Sequence, residues 1–102
     1  MPDFKDVLPL DRIPPGKSTT VEVDGKTVAL FNVDGTIHAI ADACLHAGQS
    51  LGYGILQGKV VRCRAHGWRY DVTTGEIVGV PGSGVACYQA RVENGQVQVA
   101  VA

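Results

Sequence analysis

Thr19 to Asp42 reads TTVEVDGKTVALFNVDGTIHAIAD. Val21, Val23, Val28, Leu30, Val33, Ile37 and Ile40 recur at short spacing among polar residues. Two Asp-Gly pairs, Asp24-Gly25 and Asp34-Gly35, divide the stretch. An Asp-Gly pair between apolar alternations marks a hairpin, because a type I′ turn needs positive φ at both central residues. The stretch therefore predicts three antiparallel strands, about 19–23, 26–32 and 36–41. A short strand near 5–8 precedes them, and Pro14-Pro15-Gly16 forbids helix and marks a turn.

Downstream the pattern changes. Residues 43–54 lack alternation, hold three Gly and read as a structured loop. Strands are expected at 57–62 and 68–72. Thr73-Thr74-Gly75 is a turn, with a short strand at 76–78 beyond it and a second loop at 79–84 containing Pro81. Two further strands, 87–93 and 96–101, meet at Asn94-Gly95, another hairpin signal. No window carries a helical period of useful length, and no repeat or linker is visible. The chain thus predicts an all-β protein, a small antiparallel β-sandwich or barrel. Strands from both ends close the core, and a loop-rich middle is inserted between them. Its 102 residues fit one domain. Within it, residues 1–42 and about 79–102 would form the base sheets and about 43–78 a separate subdomain.

Hydrophobic residues make up 45% and charged residues 19%, which excludes a disordered or fibrous chain. The net charge of −1 argues against nucleic-acid binding, which calls for a basic excess. The opening MPDFKDVLPLDRIPPG has neither the basic nor the apolar region of a signal peptide. No stretch approaches the ~18 apolar residues of a membrane span. A soluble, cytoplasmic protein is expected. Three Cys exclude a fully paired disulfide framework and favour metal binding or reduced thiols.

Chemistry concentrates in two loops. The first holds Cys44-Leu45-His46; the second holds Cys63-Arg64-Ala65-His66-Gly67-Trp68. Each offers one thiolate and one imidazole, and two such loops can clamp one cofactor. Gly48, Gly52, Gly54 and Gly67 would let the backbone turn closely around it. Three readings compete: a [2Fe–2S] cluster with two Cys on one iron and two His on the other, a structural Cys₂His₂ zinc site, and chance. Zinc modules usually pair like ligands within each half, whereas each half here mixes one Cys with one His, an arrangement suited to a cofactor with two metal centres.

At these residues the sequence resembles the Rieske [2Fe–2S] family. C-L-H and C-R-A-H-G-W look like the two Rieske boxes. The likeness continues through Tyr70-Asp71, Thr74-Gly75, Pro81, Tyr88 and the final hairpin. It is similar to the small soluble ferredoxins that serve bacterial aromatic-ring oxygenases. Rieske proteins of respiratory and photosynthetic complexes carry an extra disulfide-bonded Cys in each box. Gln49 and Ala65 stand at those positions here, and Trp68 stands where those proteins have a Ser.

The resemblance implies the Rieske fold, with a cluster-binding subdomain and one [2Fe–2S] cluster ligated by Cys44, His46, Cys63 and His66. It places Gly48, Arg64, Gly67, Trp68 and Pro81 around that cluster. It also implies a one-electron carrier in aromatic hydrocarbon catabolism. Such a carrier changes no bonds in a substrate. It takes electrons from a flavin-containing, NAD(P)H-dependent reductase, passes them to a terminal oxygenase, and is usually a monomer. Two alternatives stay open: the Rieske-like small subunit of an assimilatory nitrite reductase, and a Cys₂His₂ zinc-stabilised binding module. Two neutral His in place of two anionic Cys raise the potential of a Rieske centre to about −150 to +300 mV, against about −400 mV for plant-type ferredoxins. Without the Ser donor, the lower end of that range is expected.

Residues 43 to 70 contain no Asp or Glu but do contain Lys59, Arg62, Arg64 and Arg69. These four read either as a positive patch that steers an acidic partner or as solvent-facing strand residues. Cys87 is expected to be a small buried hydrophobe and His38 a surface or edge residue. Trp68 and Tyr70 alternate on one strand and are expected to pack in the core, with a shield over the cluster as the other reading.

Overall fold

The computed structural model describes residues 3–43, 50–64 and 67–101. The first five strands in chain order are β1 (Lys5–Pro9), β2 (Ser18–Val23), β3 (Lys26–Val33), β4 (Thr36–Ala41) and β5 (Ile55–Gln57). They are followed by β6 (Val60–Arg62), β7 (Arg69–Asp71), β8 (Cys87–Glu93) and β9 (Gln96–Ala100). One 3₁₀ turn at Leu10–Arg12 interrupts them, and no α-helix occurs among the described residues.

The three expected hairpin turns form as their chemistry requires. Asp24 and Gly25 have φ of 50° and 79°, Asp34 and Gly35 of 52° and 93°, and Asn94 and Gly95 of 51° and 76°. Positive φ at both central residues matches the right-handed twist of the flanking strands. The first two turns set β2 against β3 and β3 against β4, and the third sets β8 against β9. The chain ends then pair as expected, β1 with β9 and β4 with β8. The result is an antiparallel six-stranded sheet in the order β1-β9-β8-β4-β3-β2. It curls until its two edges approach. Lys5 reaches Asp24 across the seam at 4.0 Å, and Lys26 Nζ donates to the Val101 carbonyl at 3.2 Å.

Burial explains why a second, three-stranded sheet (β5-β6-β7) sits on this barrel. Val28 to Asn32 on β3 are all buried, not alternately buried and exposed. Successive strand residues point to opposite faces, so β3 is covered on both sides. Val28 and Leu30 join Ile13, Val23, Ile37, Ala39, Val97 and Val99 in the barrel core. Ala29 and Phe31 join Ile40, Leu51, Val61, Cys63, Tyr70 and Val72 in a second core beneath the small sheet.

Three expectations are corrected. Residues 57–62 are not one strand: β5 and β6 form a hairpin, turned at Gly58-Lys59 with Gly58 at φ 61°. Residues 76–78 form no strand, only the isolated bridges Tyr70↔Ile77 and Glu76↔Gly84. His38 lies on β4, between β3 and β8 and not at an edge, half-buried and paired with Phe31.

Candidate metal centre

The second loop grows out of the β6–β7 hairpin. Arg62 and Arg69 are its last paired residues. Beyond them the Cys63 amide donates to the Trp68 carbonyl at 2.7 Å, and the Gly67 amide donates to the Cys63 carbonyl at 3.0 Å. These bonds hold Cys63 against Gly67 and Trp68 and so join the two ends of the loop. Gly67 has φ 76°, a conformation that favours glycine. Cys63 is 1% exposed and belongs to the second core, so packing holds its backbone and side chain in place.

The first loop leaves the barrel after β4. Cys44, His46 and Gly48 lie outside the described residues, as does His66 in the second loop. The ends of the first loop are described. Ala43 bridges Ser50, and the Leu51 amide donates to the Asp42 carbonyl at 3.3 Å. Residues 51–54 then run directly against the second loop. A Cβ on Gly54 would lie 2.6 Å from the Arg62 carbonyl and 2.8 Å from Val61 Cγ2. Arg64 Nε donates to the Tyr53 carbonyl. The exit of the first loop therefore meets the second loop at one end of the small sheet, where a concavity of about 250 Å³ is lined by Ile55, Arg62, Cys63, Arg64 and Gly67. Among the described residues no three His, Cys, Asp or Glu side chains meet at a point.

A third segment faces the second loop. Val78 N–H donates to the Arg69 carbonyl at 2.9 Å, and Ile77 N–H to the Ser83 carbonyl at 2.8 Å. Between them opens an apolar groove of about 520 Å³ walled by Gly67, Trp68, Arg69, Ile77, Val78, Val80 and Ser83. Pro81 is exposed in the loop beyond it and does not line the groove. Trp68 and Tyr70 part company: Tyr70 is fully buried, whereas Trp68 is 38% exposed on the groove wall. The expected core role of Trp68 is thus corrected, because the strand proper begins only at Arg69.

The basic residues also divide. Arg62, Arg64 and Arg69 are exposed at the loop end of the hairpin. Lys59 occupies the opposite turn and pairs with Asp71 at 3.6 Å. Burial pushes the Asp71 carboxyl up, but the combined pull of the Thr73 hydroxyl and amide and of Lys59 leaves it below the usual value. Cys87 is exposed and not buried as expected, with its thiol 3.5 Å from the Thr73 carbonyl. Desolvation first, and Asp71 second, raise its pKa. The sequence reading overlooked Asp42, Ser50 and Ser18, which brace the first loop. The available signal was an Asp two residues before Cys44.

The Rieske [2Fe-2S] domain model matches residues 3–98. This chain belongs to the Rieske [2Fe–2S] domain family. Its cofactor is a Rieske-type [2Fe–2S] cluster. The described part of the site fits that group: a buried thiol residue, a glycine-dependent loop and a concavity beside them. Among relatives, the chain is 35% identical to the ferredoxin component of the naphthalene 1,2-dioxygenase/salicylate 5-hydroxylase systems of Ralstonia sp, over 92% of this chain and 91% of that one. It is 37% identical to the biphenyl dioxygenase ferredoxin subunit of Pseudomonas sp. (strain KKS102), over 94% and 90%. A solved complex of reduced oxygenase and oxidised ferredoxin in carbazole 1,9a-dioxygenase matches with TM-score 0.86 and 29% identity, covering 95% of this Rieske chain and 92% of that one. A protein proposed as the NADH-dependent nitrite reductase small subunit of Mycobacterium tuberculosis matches with TM-score 0.91 and 27% identity, covering 100% and 97%.

Proposed function

We propose that this Rieske protein is a one-electron carrier of an aromatic-ring oxygenase system, with no catalysis of its own. The observation that carries the reading is near full-length similarity, at 35% and 37% identity, to ferredoxin components of such systems. Its direct partner is a terminal oxygenase, as in the carbazole system whose ferredoxin and oxygenase form a solved complex. The electrons come from a flavin-containing, NAD(P)H-dependent reductase. The carrier is a cytoplasmic monomer. No described helix is long and apolar enough to cross a membrane.

Cys44, His46, Cys63 and His66 hold the cluster, which supplies a one-electron couple when bound. The part containing the small sheet and both ligand loops, about residues 43–78, is the cluster-binding subdomain; residues 1–42 and 79–102 are its base. The chain's own residues do three things. The buried Cys63 and its backbone hydrogen bonds to Gly67 and Trp68 hold the two ends of the second loop together. Trp68, Val78 and Val80 present an apolar surface beside that loop, with Arg64 and Arg69 exposed next to it. An acidic partner face would be steered there by charge and seated by apolar contact. Such interfaces are small and transient, under ~1,200 Å².

The match at TM-score 0.91 favours a second reading, a stable small subunit of a nitrite reductase. Purification decides between them. The carrier reading expects a red-brown protein that is stable alone and, after dithionite, gives the anisotropic EPR signal of a His-ligated [2Fe–2S] cluster. Mixed with a reductase and a ring-hydroxylating oxygenase, it should restore substrate turnover. Co-purification with a large reductase subunit would favour the second reading. A colourless protein holding zinc would refute both.

A further inference from the structure

We propose that Asp42 is a positioning residue for the metal centre. Its carboxylate clasps the outgoing end of the first ligand loop to the incoming end, and so sets where Cys44 and His46 enter the site. The inference rests on the ligand assignment proposed above.

Asp42 directly follows β4, and its amide donates to the Thr27 carbonyl at 3.2 Å, which continues the barrel ladder. Its side chain points across the mouth of the loop. The Ser50 hydroxyl lies 2.9 and 2.8 Å from its two oxygens, and the Gly52 amide donates to Oδ1 at 2.7 Å. Hydrogen bonds to an ionised acceptor are the strong ones. Among the described residues no cation pairs with Asp42, so the carboxylate serves the loop and not a salt bridge.

The partner residues are themselves immobilised. Ser18 Oγ donates to the Gly52 carbonyl at 2.8 Å, which ties the exit of the loop to β2. Leu51, between the two partners, is fully buried in the second core. Gly52 has no room for a side chain: a Cβ would lie 2.4 Å from Thr20 Cγ2 and 2.9 Å from the Thr19 carbonyl. The carboxylate thereby joins two loop ends that the barrel holds, and it reinforces the Leu51-to-Asp42 backbone bond and the Ala43–Ser50 bridge between them. An amide in its place could still accept from the Gly52 amide and donate to the Ser50 hydroxyl, but without the charge that strengthens both bonds.

The test uses the full-length, cluster-loaded protein and reads iron release to a chelator without denaturant, together with EPR line width. Asp42→Ala should release iron about tenfold faster and broaden the signal, as expected when a charge-assisted clasp is lost. Asp42→Asn should recover part of the difference, and Ser50→Ala should fall between it and the wild type, because the Gly52 bond persists. Val97→Ala, in the barrel core, controls for global destabilisation. If Asp42→Ala releases iron no faster than Val97→Ala at equal distance below its own Tm, the inference is overturned. If Asp42→Ala does not fold, wild-type release by both Asp42→Asn and Ser50→Ala overturns it equally. Cys44→Ser separates the two levels. Loss of the cluster in that variant upholds the ligand assignment, whereas a full [2Fe–2S] load would sink the assignment and this inference with it.

Discussion

Adding one methyl group at Gly84 should loosen the segment that faces the Cys63 loop. A Cβ there would lie 2.1 Å from the Gly75 carbonyl oxygen, 2.7 Å from Glu76 Cα and 2.8 Å from the Gly75 carbonyl carbon. All three are backbone atoms, so no rotamer change can relieve the clash. Ordinary contact begins at 3.4 Å, so the two segments must part by about 1.3 Å. Gly75 cannot yield cheaply. It has φ 82°, and its amide donates to the Asp71 carbonyl at 2.7 Å. A shift of that size stretches the Val85-to-Gly75 bond, now 2.8 Å, beyond hydrogen-bond range and strains the Ile77-to-Ser83 bond beside it. Overpacking costs about 1–3 kcal/mol, and each lost bond costs about 0.5–1.5 kcal/mol more. Gly84→Ala should therefore destabilise by about 2–4 kcal/mol. At about 4–8 °C per kcal/mol for a domain of this size, Tm should fall by roughly 8–32 °C. Thermal melts followed by circular dichroism and visible absorption measure the shift. Amide exchange should accelerate locally at Ile77 and Val85. A Tm within about 3 °C of wild type would refute the packing argument, since no flexible atom is available to absorb the methyl group.

Three further outcomes are expected. Arg69→Glu, on the exposed hairpin end beside the groove, should slow electron delivery to the oxygenase several-fold at low salt; the difference should fade as salt screens it, and equal rates at low ionic strength would remove Arg69 from docking. Asp71 titrates below its ordinary value of 3.8, so its stabilising effect is complete above that pH and is lost as pH falls through the depressed folded value; the Tm gap between wild type and Asp71→Asn should be widest at neutral pH and close as acid protonates the folded carboxylate, and a gap that widens with acid would reverse the sign. The Cys87 thiol, with its raised pKa, should react with iodoacetamide at pH 8 more slowly than a small-molecule thiol, and Cys87→Ala should leave the visible spectrum unchanged.

Much of the barrel was legible because its turns are written in local chemistry. Asp24-Gly25, Asp34-Gly35 and Asn94-Gly95 each announce a turn that few other residue pairs adopt, and every strand they join follows. The small sheet was less legible. Gln57-Gly58-Lys59 carries no Asn-Gly or Asp-Gly signal, so a hairpin of two three-residue strands read as one strand. Trp68 and Cys87 were misplaced for a related reason. Alternation assigns a face only within a strand, and both residues stand at or beyond a strand end. The Cys-His motif pointed to the family and its cluster, since mixed Cys-His halves at close spacing have few uses. The Asp42 clasp was not. A carboxylate two residues before a Cys looks like any loop acid until the fold brings Ser50 and Gly52 back to it.

The continuous burial of β3 links the fold to the proposed role. Leu30 and Phe31 are neighbours, both fully buried, yet they serve different cores. A strand with one wet face would show polar residues between Val28 and Asn32, but Ala29, Leu30 and Phe31 fill that interval. The run VALFN is thus the sequence mark of a strand sandwiched between the barrel and a second layer. That layer carries Cys63, and its floor is Ala29, Phe31 and Ile40. The first loop springs from β4 and returns through Leu51 into the same core. Both loops therefore stand on one rigid pair of strands, although the small sheet has only three-residue strands of its own. A site built on loops gains precision when the supporting shell is packed and hydrogen-bonded. An electron carrier needs that precision more than it needs a substrate pocket, because its work is to hold one cluster in constant geometry through successive one-electron steps.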